Sequence, residues 1–141
     1  MWSNDYVGTP WADLGRDRRG VDCYGLVRLA YADVLGIDLP SYVGAYASVT
    51  EQAEVSAHIG NVTRGGIWSA IEPASARAFD VLVFRCGSLD THVGLVVQAG
   101  LMLHVMAREQ AKHEQYSQGR WRHRLTGVFR HADLLSREIQ T

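Results

Sequence analysis

"DCYGLVRLAYADVLG", residues 22–36, carries the strongest helical pattern in this 141-residue sequence. From Cys23 to Val34 its apolar positions recur at intervals of three and four residues, which is the spacing of one face of an amphipathic helix. Asp22 is a preferred residue type at a helix N-cap, and Gly36 is a preferred type just beyond a helix end. The sequence therefore predicts a helix that begins at Cys23, directly after Asp22.

The sequence beyond Gly66 changes from helical to strand-like patterns. Short runs rich in β-branched and aromatic residues alternate there with turn-forming residues. The connection "QAG" between Val97 and Leu101 is short enough for a hairpin, so we expect the two strands that it joins to be antiparallel neighbours. The predicted strands are "IWSAIE" (67–72), "FDVLVFRCG" (79–87), "THVGLVVQAG" (91–100), "LMLHVMA" (101–107) and "RLTGVFR" (124–130).

A second helix is predicted over residues 48–60, "SVTEQAEVSAHIG", opened by Ser48 or Thr50 and closed by Gly60. Helices first and an antiparallel sheet second predict an α+β architecture. No internal repeat or linker divides the chain, and its length is that of one domain, residues 1–141.

The composition excludes several classes of protein. Hydrophobic residues make up 47% and charged residues 21% of the chain, which is ordinary for a globular protein and unlike a disordered one. A net charge of −1 argues against a dedicated nucleic-acid binder. The N-terminal residues lack a basic start followed by an apolar run, and no stretch approaches the roughly 18 apolar residues of a membrane span. We therefore expect a soluble chain, made in the cytoplasm without a signal peptide and without membrane insertion.

Cys23 is the candidate nucleophile. At the first turn of a helix, unpaired backbone N–H groups and the helix dipole stabilise a thiolate, so we expect a lowered thiol pKa. The alternative is a small apolar residue on the buried face of the helix. The other cysteine, Cys86, follows a strand, and we interpret it as structural or incidental. Two cysteines are a weak case for a disulfide framework, so reduced thiols are expected.

His92 and His104 lie on the two strands of the predicted hairpin. A turn centred near residues 98–100 places His92 almost opposite His104, so the two imidazoles come within hydrogen-bonding reach. In a Cys–His dyad one histidine takes the thiol proton, and a second polar group holds that ring in the correct tautomer and orientation. The alternative for each histidine is a structural role in the core.

The blocks "DCYGLV", "FDVLVFR" and "HVGLVV", with a second histidine twelve residues after the first, resemble the NlpC-type papain-like cysteine peptidases, which cut peptidoglycan stem peptides. The upstream "GTPWADLGRDRRGVDC" and the closing "WRHRLTGVFRH" are similar to small peptidases encoded in phage tail operons and in phage-derived gene transfer agents. The resemblance implies an α+β papain-like domain, with N-terminal helices packed on an antiparallel β-sheet and the nucleophile at a helix N-terminus.

By position, the resemblance implies a Cys-His-His triad with Cys23 as nucleophile, His92 as general base and His104 as the orienting group. Members of the family typically hydrolyse the γ-D-glutamyl–diamino acid bond through an acyl-enzyme. The backbone N–H of Cys23 is the expected oxyanion donor. The sequence has no zinc-ligand spacing and no phosphate-binding glycine loop, so we expect neither a metal nor a cofactor.

The residues around the nucleophile predict substrate contacts, with two departures from the family pattern. Asp22 is expected to contact the free amine of the stem peptide, but many members have serine after the cysteine, where this chain has Tyr24. The family also often has an upstream tyrosine whose hydroxyl reaches the active site. Here the matching stretch offers Trp11, with Tyr6 a few residues earlier as the candidate.

The tail-type flanks predict phage-like tail or hub proteins as partners, and delivery in a tail tip to the periplasmic cell wall. One alternative is a structural tail or hub protein of negligible activity, and another is a related papain-like amidase or acyltransferase. The basic cluster around Trp121 is predicted to be a solvated strand edge rather than a binding site. That cluster comprises Arg120, Arg122, His123 and Arg124.

Overall fold

The computed structural model describes residues 1–13, 15–39, 68–86 and 89–135. The helix predicted over residues 48–60 and the side chain of Cys86 lie outside this described part. Within it, no helix is both long and apolar enough to span a membrane.

The predicted helix is present and begins where the sequence places it. Helix α1 spans Cys23–Ala30 and continues as a π-helical turn over Tyr31–Leu35. The Asp22 side chain caps its N-terminus by accepting a hydrogen bond of 2.7 Å from the backbone N–H of Gly25. Gly36 ends the helix in the left-handed region at φ 68°, a conformation that glycine adopts without steric cost.

The strands form a two-stranded hairpin and a six-stranded antiparallel sheet in the order β3-β8-β4-β5-β6-β7. All five predicted strands are present, and β1, β2 and β7 are additions that the sequence patterns did not predict. The hairpin between β5 and β6 is antiparallel as expected. The strands are β1 Arg16–Asp17, β2 Gly20–Val21, β3 Trp68–Ile71, β4 Val81–Cys86, β5 Leu89–Gln98, β6 Leu101–His104, β7 Lys112–Gln115 and β8 Leu125–His131.

The large sheet buries an apolar layer on each face, because successive side chains of a strand point to opposite sides. Helix α1 packs on the first face. The second face is covered in part by Trp121 from the short helix α2, Gly119–Arg122. The first layer includes Leu26, Val27, Val83, Val93, Leu95 and Leu103, and the second includes Leu82, Phe84, Val96, Met102 and Val128.

Candidate active site

Cys23 is half-buried at the first position of α1 and is bonded to strand β5. Its sulfur accepts hydrogen bonds from the backbone N–H groups of Val93 and Tyr24. Strand β5 is paired with β6 only as far as Leu95 and Leu103. Val93 lies beyond this paired part of β5. The thiol is therefore held at the residue that directly follows His92.

The Cys23 thiol has a raised pKa, so the expectation of a lowered pKa is wrong. Burial first, and then the negative charge of Asp22, raise the pKa of this thiol to about 12. The N–H groups of Val93 and Tyr24 and the charge of Arg16 act in the opposite direction without offsetting the burial. A helix N-terminus typically stabilises an anion by about 1 kcal/mol or less, whereas removing an anion from water costs more. The resting protein therefore holds a protonated thiol.

The two histidines are hydrogen-bonded to each other, as the hairpin pattern predicted. Nε2 of His92 lies 2.9 Å from Nδ1 of His104. Leu95 faces Leu103 in the β5–β6 register, so Gly94 is the residue opposite His104 and His92 is its diagonal neighbour on the same face. Diagonal neighbours of a sheet are within reach of long or aromatic side chains.

Gly94 provides space for this diagonal contact. A Cβ atom at this position would lie 2.9 Å from Sδ of Met102 and 3.5 Å from Cβ of His104. The first distance is shorter than a normal van der Waals contact. A side chain at Gly94 would therefore require the Met102 side chain to move, whereas its approach to Cβ of His104 would be an ordinary contact.

Glu114 extends the histidine pair into a chain of three side chains. Its Oε1 lies 2.9 Å from Nε2 of His104. In the β6–β7 register His104 faces Lys112, while Met102 faces Glu114, so Glu114 is again the diagonal neighbour on the same face. Sequence analysis missed Glu114 because "KHEQ" in β7 is a polar edge strand without the apolar alternation that signals strands. The only available signal was a carboxylate ten residues after His104.

Trp121 is a second residue whose place in the site was missed. Its ring stacks on His92 at a centroid distance of 5.3 Å and meets His104 edge-on at 5.1 Å. The predicted strand edge is wrong in its secondary structure, because Gly119–Arg122 is the short helix α2, and Trp121 within it is fully buried. The four basic residues of the cluster, Arg120, Arg122, His123 and Arg124, are exposed as expected. Trp121 therefore packs on the histidine pair and keeps both rings out of water.

Both histidines have lowered pKa values and are neutral at neutral pH. Burial, followed by the positive charges of His104 and Arg120, lowers the pKa of His92 to about 3. Burial also lowers the pKa of His104, although the hydrogen bond and charge of Glu114 raise it in part. Each ring can therefore accept a proton in the resting state.

The histidines and Glu114 are residue types that also bind metals. Here their facing atoms are engaged in the two hydrogen bonds of 2.9 Å described above. In the described ranges, no group of three or more His, Cys, Asp or Glu side chains is arranged to hold a metal ion. The arrangement is a chain of two hydrogen bonds that joins His92 through His104 to Glu114.

This combination of a helix-terminal thiol and a histidine pair on a sheet agrees with a comparison of the whole chain. Residues 8–130 match the model of the NlpC/P60 family. The chain belongs to this family. The NlpC-type resemblance and the α+β fold predicted from the sequence are thereby confirmed.

The relatives of this NlpC/P60 chain include enzymes and a non-catalytic protein. It is 25% identical over 100 residues to the murein DD-endopeptidase MepS/murein LD-carboxypeptidase of Escherichia coli K12, covering 71% of this chain and 44% of that protein. The chain thus spans less than half the length of this relative.

Two solved structures share the fold. The NlpC/p60 domain of the peptidoglycan hydrolase SagA superposes with a TM-score of 0.60 at 22% identity, covering 90% of this chain and 91% of that domain. RipD of Mycobacterium tuberculosis, a non-catalytic NlpC/p60 domain protein adapted to peptidoglycan binding, has a TM-score of 0.58 at 17% identity, covering 90% and 88%. At such identities the structural matches show the fold alone.

Asp22, the residue expected to bind the substrate amine, is already engaged in this NlpC/P60 chain. It is fully buried, and its Oδ1 accepts hydrogen bonds of 2.7 Å from both the Gly25 backbone and Nη1 of Arg16. The Arg16 guanidinium also lies 5.7 Å from the ring centre of Tyr24. The carboxylate next to the nucleophile is therefore a helix cap and an ion-pair partner, and Tyr24 flanks it.

Tyr6 is not brought to the thiol by the structure, in contrast to its expected role. The ring is fully buried, and its hydroxyl donates a hydrogen bond of 3.0 Å to Asp33. Asp33 lies ten residues after Cys23, which is about 15 Å along a helix. Tyr6 thus anchors the N-terminal segment to the far end of the helix.

Proposed function

We propose that this chain is a cysteine peptidase that hydrolyses peptidoglycan stem peptides with Cys23, His92 and His104 as its triad. The observation that carries the proposal is the hydrogen bond of 2.9 Å between the two histidines, on the strand whose Val93 N–H binds the Cys23 sulfur. Membership of the NlpC/P60 family supports it. We propose the γ-D-glutamyl–diamino acid bond as the bond cut, with residues 1–141 acting as one catalytic domain.

The proposed reaction has two stages. His92 accepts the proton of the Cys23 thiol as the sulfur attacks the amide carbonyl, and the resulting imidazolium then protonates the leaving amine. Water, deprotonated by the neutral His92, hydrolyses the acyl-enzyme and restores the thiol. The backbone N–H of Cys23 begins the helix and has no partner within it, so it is suited to stabilise the oxyanion.

The resting charges favour proton transfer during the attack rather than before it. The pKa of the thiol is raised to about 12 and that of His92 is lowered to about 3, so an ion pair of the two does not accumulate. The charges then develop as the carbon–sulfur bond forms. The substrate, by binding over the site, supplies the carbonyl that accepts the negative charge.

We propose that this enzyme does not require a free amine on the stem peptide. The buried carboxylate of Asp22 is paired with Arg16 at 2.7 Å, so an amine would have to displace the guanidinium. Tyr24 stands where many relatives of this type have serine. Both features favour substrates whose N-terminus is joined to another group.

The test is mass spectrometry of cell-wall fragments digested with the protein, with and without a blocked L-alanine amine. We expect a new free diamino-acid amine and a terminal D-glutamate, at similar rates for blocked and free fragments. Cleavage at the sugar-linked L-alanine would favour an amidase instead. Cleavage of free-amine fragments alone would show that Asp22 does bind the amine.

A phage-like tail is the proposed carrier, on the basis of the flanking sequences before Asp22 and after Arg120. In this proposal tail or hub proteins are the partners, and the periplasmic cell wall is the place of action. Immunogold labelling of purified particles tests it: label at the tail tip supports it, and label absent from particles excludes it.

A binding or structural role is the second candidate function. The protonated, half-buried thiol and the fold likeness to the non-catalytic RipD favour it. Pull-down on insoluble peptidoglycan separates the two. Retention of both the wild type and Cys23→Ala without release of soluble fragments would favour the binding role, whereas release by the wild type alone would favour the peptidase.

A further inference from the structure

Glu114 ends the chain of hydrogen bonds that starts at His92. Burial would raise its pKa, but the hydrogen bond with His104, together with the charges of His104 and Lys112, lowers the pKa below its usual range. Nζ of Lys112 lies 3.8 Å and Nη2 of Arg120 lies 3.9 Å from its carboxylate oxygens. At neutral pH Glu114 is therefore an ionised carboxylate, which accepts hydrogen bonds and donates none.

An ionised Glu114 determines which nitrogen of His104 carries the proton. Since Oε1 of Glu114 can only accept, Nε2 of His104, at 2.9 Å, must be the donor. A neutral imidazole carries one N–H, so Nδ1 of His104 is left with a lone pair. This nitrogen is the one that faces His92.

The same reasoning applies one step further along the chain. Nδ1 of His104 accepts, so Nε2 of His92, at 2.9 Å, must donate. His92 is neutral and therefore keeps its lone pair on Nδ1. That nitrogen is the only atom of the ring able to accept a proton from the Cys23 thiol.

We propose that Glu114 is a positioning residue that sets the tautomers of His104 and His92 and thereby leaves Nδ1 of His92 as the base. The role of Nδ1 of His92 as the base rests on the proposed function, whereas the assignment of the two tautomers does not. Glu114 acts through His104 and contacts neither the thiol nor the scissile bond. Without it, His104 can carry its proton on Nδ1, donate to Nε2 of His92 and thereby leave the proton of His92 on Nδ1, where it blocks the reaction.

The decisive measurement is the ¹⁵N shift of the imidazole nitrogens of His92 and His104, assigned with His92→Gln and His104→Gln. In the wild type we expect both rings to be protonated on Nε2 only. In Glu114→Ala we expect both Nδ1 signals to move towards the protonated value. Unchanged Nδ1 signals in Glu114→Ala, or a wild-type His92 protonated on Nδ1, would overturn the proposal.

Glu109 provides a matched control, because its carboxylate lies 3.2 Å from Nζ of Lys112 and no hydrogen bond joins it to His104 in the described residues. Glu109→Ala removes one negative charge from the same cluster and should leave both tautomers unchanged. Should Glu114→Ala fail to fold, Glu114→Leu keeps much of the side-chain volume and removes both acceptor oxygens, and its Nδ1 signals should move in the same direction. An unmoved signal in a folded Glu114→Leu would then count against the proposal.

Kinetics separate this inference from the proposed function. We expect Glu114→Ala to lower kcat by about tenfold to a hundredfold, below the upper range for loss of a general base because Glu114 acts through His104, with little change in KM. Glu109→Ala should retain the wild-type kcat. If the wild type shows the expected ¹⁵N shifts but no hydrolysis, the proposed peptidase function is refuted and the assigned tautomers remain. If the wild type is active and Glu114→Ala has the same kcat, the positioning role of Glu114 is refuted.

Discussion

Two carboxylates contact the candidate site, one next to the thiol and one at the histidine pair, and the protein holds them in different ways. Asp22, next to the nucleophile, is fully buried and bonded to a backbone N–H and to Arg16. Glu114, behind the two histidines, is about one-third exposed and bonded to His104. The first raises the pKa of the thiol and the second raises that of an imidazole. A negative charge thus opposes loss of the thiol proton at one end and favours its acceptance at the other.

The comparison of the two carboxylates matters for catalysis only if Cys23 is the group that reacts. Substitution of Cys23 is therefore expected to have the largest effect on the rate of hydrolysis. Cys23→Ala should lower hydrolysis of purified peptidoglycan by about 10⁴-fold or more, because it removes the nucleophile itself. It removes little volume from a half-buried position, so the thermal midpoint should stay close to that of the wild type. Release of soluble fragments at the wild-type rate by the variant would rule out the mechanism.

The state of the thiol in the free protein is the second prediction. With its pKa raised from 9.0 to about 12, Cys23 should be alkylated by iodoacetamide about a thousandfold more slowly at pH 7 than an unperturbed thiol. The rate should rise about tenfold per pH unit and should not level off near pH 9, as that of an unperturbed thiol would. Cys86→Ser removes the background reaction. A reactive thiolate well below pH 8.5 would instead mean that the helix N-terminus outweighs burial and Asp22.

The raised pKa of Cys23 also makes the free energy of unfolding depend on pH. The direction of this dependence follows from the pKa of the same thiol in the unfolded state. The unfolded thiol loses its proton near pH 9, whereas the folded thiol keeps it to about pH 12. The stabilisation is therefore complete below pH 9 and is lost as the pH rises from 9 towards 12. Cys23→Ala should remove this alkaline component of the unfolding free energy.

The contrast between the two ends of the site also explains what the sequence could and could not predict. The N-cap at Asp22, the helix from Cys23 and the β5–β6 hairpin with its two histidines follow from local spacing. Local spacing does not report burial, so it did not predict the direction of the thiol pKa. Glu114 and Trp121 reach the histidines from a polar edge strand and a four-residue helix, neither of which has a periodic apolar pattern.

The base and its orienting group provide the third prediction. His92→Ala should lower kcat by about 10³-fold, within the range for loss of a general base. His104→Ala should lower kcat less than that, because an orienting group is more replaceable than the base. Both should be measured at saturating substrate on folded protein. The opposite order would mean that His104, the neighbour of Glu114, is the base.

Asp22→Asn gives the sharpest test of the difference between the two carboxylates, with the smallest expected effect on rate. Asparagine can still cap α1, but the ion pair of Arg16 with Asp22 is lost, and breaking a buried ion pair costs about 3 kcal/mol. Asp80 provides the control, because it is also fully buried and is bonded to Nε and Nη2 of Arg130, both at 2.8 Å.

We expect Asp22→Asn and Asp80→Asn to lose similar amounts of unfolding free energy in urea, since each leaves one arginine without its carboxylate. Only Asp22→Asn should move the alkylation profile of Cys23 to lower pH, because only Asp22 acts on the thiol. Equal profiles in the two variants would mean that burial alone keeps the thiol protonated. In that case the charge of Asp22 serves the helix and Arg16, and Glu114 is the only one of the two carboxylates that acts on the path of the proton.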